Sequence, residues 1–596
     1  MTFLPLLISF LISVLLIPII RRFSFRVGRI AQPRQERWHS LPTPTLGGVG
    51  MFIAFVISIL VIVLIKGELG NIQERWSILL GIVLMFALGV YDDFKPIKPP
   101  VKFAGQILAA TLVIFFGNNT INFFPWPIAN IILTFFWLVG ITNAINLLDN
   151  MDGLAGGVAL IASLFLSYFF WRSDHTELLL LSIALVGSIL GFLLFNFPPA
   201  KIFMGDSGSM FLGFALASLA VARRTQASNV FAVMGVPTLL FLLPILDTGL
   251  VTITRILRGQ SPTRGGTDHT SHRLIAFGLS ERQAVIVLYC VAIISGIASI
   301  AIEALDYDLS LVLIPILLII LSLFVAYLGR IKVVTSAPQS NGGIFRLVTN
   351  LTYKRRLFEI AFDLLLIGFS YYLAYWTRSG LNMTTASMSL FLQSWAMALG
   401  ITYLSFYVFG VYRGVWRYIG FNDLIRYFGA AMTSGGIAWV AVNVFYPSSA
   451  YTGDVFILYI IILILGLSGS RSSFQILDRI YSQRFSRMEK TNILLYGAED
   501  AGEIALRWIL RNPELRYYPI GFLDDDSLKW GRSIHGVPIM CGVENIGQTM
   551  VEKQVSGIII TTHHLLKSPA GEQLLAACRA QGVWVRTLRL EFELIE

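Results

Sequence analysis

Met51-Phe-Ile-Ala-Phe-Val-Ile-Ser-Ile-Leu-Val-Ile-Val-Leu-Ile65 is a long apolar run without a charged residue. Comparable runs recur along the chain, beginning with Phe3 to Ile20, and 55% of the 596 residues are hydrophobic whereas only 13% are charged. Soluble globular proteins carry about 25% charged residues. The composition therefore excludes a soluble enzyme, a secreted disulfide scaffold and a disordered chain, and it predicts a polytopic α-helical membrane protein.

The apolar runs predict about fifteen transmembrane helices, eleven in the first part of the chain and four in the second. The first eleven are expected near 3–20, 46–65, 76–91, 103–117, 128–148, 154–171, 178–195, 209–222, 230–253, 284–304 and 309–328. The other four are expected near 357–377, 389–409, 427–446 and 454–470. From about Lys490, short apolar strands alternate with amphipathic helices, which predicts a C-terminal α/β domain with a parallel, Rossmann-like sheet.

These patterns divide the chain into four parts. An eleven-span domain is predicted at 1–332, a polar linker at 333–353, a four-span membrane domain at 354–487 and the Rossmann-like domain at 488–596.

The basic residues predict how the chain is oriented in the membrane. One alternating set of loops in the first part holds fifteen Lys and Arg residues and the other set holds five. Because cytoplasmic loops carry the excess of positive charge, the basic loops and the C-terminal domain are predicted to be cytoplasmic, in a multi-pass protein of the cell membrane. The net charge of +10 is thus explained by topology, and no nucleic-acid partner is expected.

Acidic and amide side chains cluster at the predicted cytoplasmic ends of three spans. Asp92 and Asp93 end the third span, Asn143, Asn146, Asp149 and Asp152 end the fifth, and Asp206 precedes the eighth. A central Asp costs about 2.5–3.5 kcal/mol to insert into a membrane, so such clusters first suggest a function. Carboxylates from separate segments are what a hard divalent cation such as Mg²⁺ needs. The alternative is that these acids are helix caps and topology markers.

A basic loop is predicted on the same membrane face. It runs from Arg255 to Arg282 and contains His269, His272 and Arg273. Guanidinium and imidazole donors suit a pyrophosphate, although a solvated basic face would explain the arginines equally well. Together the acidic and basic groups predict a magnesium-dependent site for phosphate chemistry at the cytoplasmic membrane surface.

Five motifs then follow one another in order across residues 1–330. They are Trp38-His-Ser-Leu-Pro-Thr-Pro-Thr-Leu-Gly-Gly48, Asp92-Asp93, Asn143-Ala-Ile-Asn-Leu-Leu-Asp-Asn-Met-Asp-Gly-Leu-Ala-Gly156, Phe203-Met-Gly-Asp-Ser-Gly-Ser209 and Asp268-His-Thr-Ser-His-Arg-Leu274. In this order they resemble the polyprenyl-phosphate N-acetylhexosamine-1-phosphate transferases. The resemblance implies transfer of a sugar 1-phosphate from a UDP-N-acetylhexosamine to a polyprenyl phosphate such as undecaprenyl phosphate, with release of UMP. The cofactor it implies is Mg²⁺, with Mn²⁺ as the alternative ion.

The resemblance also implies a role for each matching residue. Asp206 would hold the metal ion, Phe203 would stack against uracil, and Asp92 would be the base or the orienting group for the lipid phosphate. Asp93 would support the metal site, and Lys102 matches a position suited to a phosphate clamp, although topology also predicts a lysine there.

The remaining implied residues fall into two groups. The first would line the nucleotide and metal pocket and comprises Asn146, Asp149 and Asp152. The second would grip the pyrophosphate or the sugar and comprises His269, His272 and Arg273.

Some positions depart from the family pattern. Many relatives have a further histidine where this chain has Ser271, and an aspartate is common where Gln32 stands. The last motif resembles the N-acetylglucosamine branch rather than the muramoyl-pentapeptide branch. Asp247 is a hypothetical member of the site, and the alternative is a structural hydrogen-bonding acid.

The second part of the chain contains Phe409-Gly-Val-Tyr-Arg-Gly-Val-Trp-Arg417, Ile493-Leu-Leu-Tyr-Gly-Ala-Glu-Asp-Ala-Gly-Glu503 and Gly521-Phe-Leu-Asp-Asp-Asp526. With these motifs residues 350–596 resemble the four-span and Rossmann-like module that opens membrane-bound nucleotide-sugar dehydratases and hexose-1-phosphate transferases. Gly497-Ala-Glu-Asp-Ala-Gly502 follows a strand as a dinucleotide fingerprint should, and Asp524 stands where a ribose-binding acid is expected. Glu499 replaces the middle glycine and places a charged side chain where a pyrophosphate would lie. No tight NAD binding is therefore expected, and an interaction or regulatory platform is the better hypothesis.

Two other functions fit the span count. A transporter or flippase would use the intramembrane acids to move ions or lipid, but it gives no reason for the Phe203–Ser209 motif. A non-catalytic scaffold of a glycan assembly complex would be favoured if Asp206 could not bind a metal. The expected partners are the UDP-sugar, the polyprenyl phosphate and the bilayer, and a homodimer is left open.

Overall fold

The computed structural model describes residues 3–31, 42–66, 73–223, 230–257, 266, 268–304, 312, 315–316, 318–320, 322–323, 351–381, 383–414, 420–446, 452–485, 491–512, 515, 517–561 and 569–588. Most of the predicted span at 309–328 and most of the predicted linker at 333–353 lie outside these residues.

Helices build the membrane part of the chain. The first region comprises α1 (Leu4–Arg26), α2 (Gly47–Lys66), α3 (Gln73–Phe94), α4 (Pro99–Thr111, continued by a π-helical turn at Leu112–Phe116), α5 (Pro127–Leu148), α6 (Leu154–Arg172), α7 (Thr176–Asn196), α8 (Gly205–Ala222), α9 (Val230–Leu240), α10 (Leu242–Leu257), α11 (Thr270–Ala276) and α12 (Glu281–Ala304). The second comprises α13 (Leu351–Arg378), α14 (Thr385–Val408), α15 (Phe421–Phe445) and α16 (Gly453–Phe485).

The described residues confirm a polytopic helical membrane protein. Thirteen of their helices are long and apolar enough to cross a membrane, and Met234–Leu240 with Leu242–Thr252 forms a helix pair bent by 77°, the geometry of a broken span or a re-entrant loop. The continuous span predicted at 230–253 is therefore broken. The break lies at Phe241, where the ring of Pro244 would clash with the carbonyl group of Leu240, four residues earlier.

The first region packs around α7 and α8. In the most apolar stretch of each helix, 83% of the residues are buried in α8 and 78% in α7, against 28% in α1. A helix that is enclosed on all sides cannot change its position without disturbing its neighbours, so α8 is a fixed reference for the residues at its ends.

Glycines allow the first turn of α8 to approach α2 and α3 closely. A Cβ atom on Gly48 would overlap the backbone nitrogen of Gly208, and a Cβ on Gly89 would lie 2.5 Å from the carbonyl oxygen of Asp206. Backbone hydrogen bonds then fasten the start of α2 to the turn before α8, because Gly47 and Gly48 donate to the carbonyl groups of Phe203 and Met204 at 2.9 and 2.8 Å.

The four helices α13 to α16 have a separate apolar core that contains several buried tyrosines. The Tyr371 hydroxyl group lies 2.8 Å from that of Ser394, and Thr402 and Tyr459 share a hydrogen bond of 2.7 Å. Buried hydroxyl groups need such partners in a hydrocarbon environment, and these pairs tie neighbouring helices together.

The C-terminal domain confirms the predicted α/β architecture. Two short strands in the amino-terminal part of the chain, β1 (Ile30–Ala31) and β2 (Thr43–Pro44), pair antiparallel and do not belong to this domain. The sheet of the C-terminal domain comprises β3 (Thr491–Tyr496), β4 (Tyr517–Leu523), β5 (Ser533–Ile534), β6 (Val537–Cys541), β7 (Gly557–Ile560) and β8 (Trp584–Thr587). Its order is β5-β6-β4-β3-β7-β8 and only the β5–β6 pair is antiparallel among the described strands. Its helices are α17 (Asp500–Arg511), α18 (Ile546–Glu552) and α19 (Pro569–Gln581).

The chain separates into two compact units. One comprises Met1–Val415 with Ile419–Ser470, and the other comprises Trp416–Tyr418 with Arg471–Glu596. The division of the membrane part into two domains stays a prediction.

Gly48→Ala is expected to lower the free energy of unfolding by about 1–3 kcal/mol, because the added methyl group would overpack the contact between α2 and α8. Thermal unfolding of the detergent-solubilised protein measures this effect. Gly140→Ala is the matched control, since a Cβ atom at that position of α5 has no neighbour within 4 Å. Equal melting temperatures for the two variants would show that the glycine contact is not needed.

Candidate active site

Asp93 holds the start of α8 from a different helix. Its Oδ1 and Oδ2 atoms accept hydrogen bonds from the backbone N–H groups of Asp206 and Ser207, at 2.8 and 3.0 Å. The first N–H groups of a helix have no partner within the helix, and a carboxylate there also interacts favourably with the helix dipole. Asp93 therefore acts on the site by fixing the backbone that carries Asp206.

Gly205 leaves room for the Asp93 carboxylate to reach the start of α8. Its φ angle is +72°, and a Cβ atom there would overlap the carbonyl oxygen of Thr45 and lie 2.8 Å from the Asp93 Oδ2 atom. A left-handed conformation and such close neighbours both favour glycine. The residue before Asp206 is thus glycine for a physical reason that the motif alone does not reveal.

Lys102 bridges two carboxylates that lie on different helices. Its Nζ atom is 2.6 Å from Asp92 Oδ2 and 3.2 Å from Asp206 Oδ1. The second oxygen of Asp92, Oδ1, accepts the backbone N–H of Ile97 at 2.7 Å. The ends of α3, α4 and α8 therefore meet at one lysine cation, as the predicted site requires.

Amide side chains complete this cluster. The Asn146 amide nitrogen lies 2.6 Å from Asp206 Oδ1 and 2.7 Å from the hydroxyl oxygen of Ser209. One turn earlier on α5, Asn143 exchanges two hydrogen bonds of 2.8 and 3.0 Å with buried Gln106 of α4. This pair fixes α5 against the helix that carries Lys102. Gln106 was not among the predicted site residues. A neutral polar residue inside an apolar span is the sequence signal that could have identified it.

The side chains around Lys102 are the candidate ligands of the predicted magnesium ion. Among the described residues, no three His, Cys, Asp or Glu side chains converge closely enough to hold a metal ion. Two carboxylates, Asp92 and Asp206, do approach one cationic position, which Lys102 fills. Mg²⁺ commonly takes one or two carboxylates and completes its shell with water and substrate phosphates, so the donor set is compatible with it.

The loop after α5 joins the acidic cluster to the basic motif. Asp149 ends α5, and Asp152 Oδ2 accepts the backbone N–H of Ala200 at 2.8 Å. Between them, the Asn150 side-chain oxygen accepts the Ser271 hydroxyl at 2.6 Å. Ser271, which departs from the family pattern, thus makes a specific contact with Asn150, which was not among the predicted site residues.

Asp247 is buried and organises the start of α11. Its Oδ2 atom lies 2.7 Å from His269 Nδ1, and its Oδ1 atom accepts the backbone N–H of Thr270 at 2.6 Å. The Asp247 side chain is only 1% exposed. The structure therefore favours the hydrogen-bonding alternative over an acid that faces an open groove, and Asp247 can act on substrate only through His269.

A second carboxylate supports the same motif. Asp268 receives two hydrogen bonds from Arg255, with nitrogen–oxygen distances of 2.6 and 3.0 Å. Burial alone would raise the Asp268 pKa, but the Arg255 guanidinium holds that pKa below its usual value. Arg273 donates its Nε–H to the Asp268 carbonyl oxygen at 2.9 Å and is only 1% exposed. In this conformation Arg273 stabilises the loop, and its contact with substrate stays a prediction.

His272 lies near His269 but does not carry the positive charge that a phosphate clamp would need. Burial and the neighbouring His269 lower the pKa of His272 to about 4. At neutral pH its imidazole is therefore uncharged, so His272 can offer a hydrogen bond but no positive charge.

The structure thus groups most of the predicted site residues. Asp92, Asp93, Lys102, Asn146 and Asp206 form one connected cluster, and His269, His272 and Arg273 lie together around α11. Phe203 is half-buried, and its backbone N–H donates to the Pro44 carbonyl oxygen at 2.7 Å.

The residues at the expected nucleotide site of the C-terminal domain bind one another. Asp524 accepts the Ala498 N–H at 2.8 Å and the Asp526 N–H at 2.9 Å, and it pairs with Lys529 at 3.0 Å. Burial would raise the Asp524 pKa, yet these donors hold that pKa below its usual value. The acid expected to bind a ribose is therefore already engaged.

Comparison with known proteins identifies the family. Residues 75–223 match glycosyl transferase family 4. A probable undecaprenyl-phosphate N-acetylglucosaminyl 1-phosphate transferase of Bacillus subtilis is 33% identical over 334 residues, which cover 54% of this chain and 91% of that protein. The chain belongs to this family.

Other relatives support the assignment. The decaprenyl-phosphate N-acetylglucosaminephosphotransferase of Mycolicibacterium smegmatis is 34% identical over 45% of this chain and 74% of its own length. The phospho-N-acetylmuramoyl-pentapeptide-transferase of Listeria monocytogenes is 32% identical over 36% of this chain and 72% of its own length. Residues 407–574 match a CoA-binding domain. The predicted resemblances, to a sugar-phosphate transferase in the first part of the chain and to a Rossmann-like module in the second, are therefore confirmed.

Asp247→Asn is expected to lower the free energy of unfolding by about 1–3 kcal/mol and to slow sugar-phosphate transfer, because an amide cannot accept both hydrogen bonds as the carboxylate does. Thermal unfolding measures the first effect, and formation of the lipid-linked sugar phosphate measures the second. Asp174→Asn, in the exposed turn after α6, is the matched control. Wild-type stability and rate in the Asp247 variant would rule out a positioning role.

Proposed function

We propose that this chain transfers N-acetylhexosamine 1-phosphate from a UDP-N-acetylhexosamine to polyprenyl phosphate and releases UMP. N-acetylglucosamine is the proposed sugar and undecaprenyl phosphate the proposed acceptor, in line with the names of the relatives and the form of the last motif. The reaction would take place at the cytoplasmic membrane surface, as the first membrane step of a cell-envelope polysaccharide.

The observation that carries this proposal is the Lys102 bridge between Asp92 and Asp206. It brings a cation, two carboxylates and the Asn146 amide to the ends of four membrane helices. Such a group can bind charged phosphates where the bilayer meets water. The transport alternative gives no reason for the Phe203–Ser209 motif, whose backbone Asp93 caps.

The chemistry requires two negatively charged partners to meet. An oxygen of the lipid phosphate would attack the β-phosphorus of the UDP-sugar, and the bond from that phosphorus to the bridging oxygen would break as UMP leaves. A phosphate monoester has a second pKa near 6, so the nucleophile is already largely deprotonated at neutral pH. Asp92 is therefore proposed to orient the acceptor through Lys102 rather than to remove a proton.

Positive charge must offset repulsion in this step. Asp206, with Asp92 beside it, would hold Mg²⁺, which would act as a Lewis acid and reduce the negative charge on the phosphate oxygens. Lys102 would supply a further charge and Asn146 a neutral donor. His269, oriented by Asp247, and neutral His272 would donate or accept hydrogen bonds at the sugar or pyrophosphate.

The C-terminal domain is proposed to be an interaction or regulatory platform. The contact between Asp524 and the Ala498 N–H occupies the turn in which a dinucleotide fingerprint would bind phosphate. Glu499, 68% exposed in its side chain, adds negative charge to that turn. Neither feature favours tight binding of NAD.

Purified protein with polyprenyl phosphate and Mg²⁺ is expected to release UMP from one of several UDP-N-acetylhexosamines offered separately. Asp206→Asn should reduce that release by at least about a hundredfold, as removal of one preorganised electrostatic group does in other enzymes. Asp174→Asn controls for the same chemical change at a distant exposed loop. Folded protein that releases no lipid-dependent UMP from any donor would refute the transferase proposal and leave transport or scaffolding.

Lys102→Met is expected to slow transfer by about 10²–10³-fold, because it removes the cation that joins Asp92 and Asp206. Steady-state UMP release at saturating Mg²⁺ measures the loss. Lys98→Met, at the exposed start of the same helix, makes the matched change outside the cluster. A Lys102 variant within twofold of wild type would mean that topology alone explains this lysine.

A further inference from the structure

A polar cavity lies at the end of the bundle opposite the acidic cluster. It is partly open, has a volume of about 660 Å³ and lies between the loop after α4 and the C-terminal end of α8. Helix α8 runs from Gly205 at the candidate active site to Ala222 at this cavity, and 18 helical residues span about 27 Å. The cavity is therefore separate from the proposed transfer site, and the positive-inside pattern predicts that it faces the outer side of the membrane.

Three nitrogen donors of residues that line this cavity lack a hydrogen-bond partner. They are Asn119 Nδ2, Trp137 Nε1 and Arg223 Nη1. Trp137 and Arg223 are only 6% and 7% exposed. Buried donors are normally paired, so three of them around one cavity indicate an acceptor-bearing ligand.

Packing holds these donors in place. The indole of Trp137 packs edge-on against Phe241 with ring centroids 5.8 Å apart. The Arg223 guanidinium lies 4.1 Å from the centroid of the Phe169 ring and forms an ion pair with Glu303. This packing limits the conformations of Trp137 and Arg223, and small side-chain movements would expose the shielded donor atoms to a ligand.

We propose that this cavity binds the phosphodiester group of a membrane phospholipid. The ligand would accept hydrogen bonds from Asn119, Trp137 and Arg223 through its phosphate oxygens. The site is independent of the proposed transfer reaction.

Two features select a phosphodiester among phosphate-bearing ligands. Glu303 already balances the charge of Arg223, which disfavours a multiply charged anion and leaves hydrogen bonding as the main source of affinity. The lining also combines polar residues, such as Thr120 and Asn122, with apolar ones, such as Ile121 and Val221. An amphipathic ligand at the end of membrane spans matches this combination, and Trp and Arg are typical of the interface.

The test compares three probes on the purified full-length protein in detergent. Short-chain phosphatidylglycerol carries the phosphodiester, diacylglycerol with the same chains lacks it, and inorganic phosphate is the soluble source of the same oxygens. Native mass spectrometry gives the affinity of each probe, and thermal unfolding gives the shift in melting temperature. The variants are Trp137→Phe and Arg223→Gln, and Trp126→Phe is the matched control because Trp126 is exposed outside the cavity lining.

Phosphatidylglycerol is expected to bind wild type and the Trp126 variant with equal affinity and to bind the two cavity variants at least fivefold more weakly. Diacylglycerol should produce no variant-dependent shift, and UMP release should stay at the wild-type level in the Trp137 variant. If Arg223→Gln does not fold, Trp137→Phe carries the test, since it removes one N–H group and keeps an aromatic ring.

Any of three results would overturn the proposal, two of them from the lipid probes. One is phosphatidylglycerol affinity that is unchanged in Trp137→Phe, and the other is equal stabilisation by diacylglycerol. Inorganic phosphate that binds as tightly as phosphatidylglycerol, with the same loss in the variants, would overturn the lipid as the source and assign the cavity to a soluble anion.

Discussion

The bond between the Asp93 carboxylate and the first N–H groups of α8 determines where Asp206 lies. Asp206 belongs to the most enclosed span, so its side chain can be placed accurately only if the helix start is fixed as well. Gly205 and Gly48 serve the same purpose, because larger side chains there would push the neighbouring backbone away. Two adjacent acids, Asp92 and Asp93, thus have different tasks, one toward the charged cluster and one toward the helix backbone.

Charge balance then sets what the cluster can do. Asp92 and Asp206 would repel each other at the membrane surface, and Lys102 reduces that repulsion in the ligand-free protein. Two carboxylates and one ammonium group leave the cluster with a net negative charge, so it would attract a magnesium ion, whose charge would in turn offset that of the phosphate groups. The basic motif around α11 is organised by its own acids, Asp247 and Asp268, and it therefore contributes directed hydrogen bonds more than free positive charge.

The sequence predicted the helical membrane fold because apolar length acts locally and can be recognised within one segment. It also brought together Asp92, Lys102, Asn146 and Asp206, since motif order and predicted topology place them on one face. It did not predict the break at Phe241 or the Gln106–Asn143 pair. The break follows from Pro244, a local signal that apolar length alone does not reveal. The Gln106–Asn143 pair depends on a contact between segments that are far apart in the chain, which local patterns do not encode. The magnesium ion stays a prediction, because substrate phosphates would supply part of its shell.

The C-terminal domain shows how a fold can keep the shape of a nucleotide site without its electrostatics. Helix α17 begins after a glycine-containing turn, where exposed backbone N–H groups would ordinarily attract a phosphate. Glu499, Asp500 and Glu503 occupy that helix start and offset the positive end of its dipole. Asp524 takes one of the turn's N–H groups for itself. An anion would have to displace that contact before it could bind in this turn, and two of the three acids, Glu499 and Glu503, are themselves paired with Lys529 and Arg507.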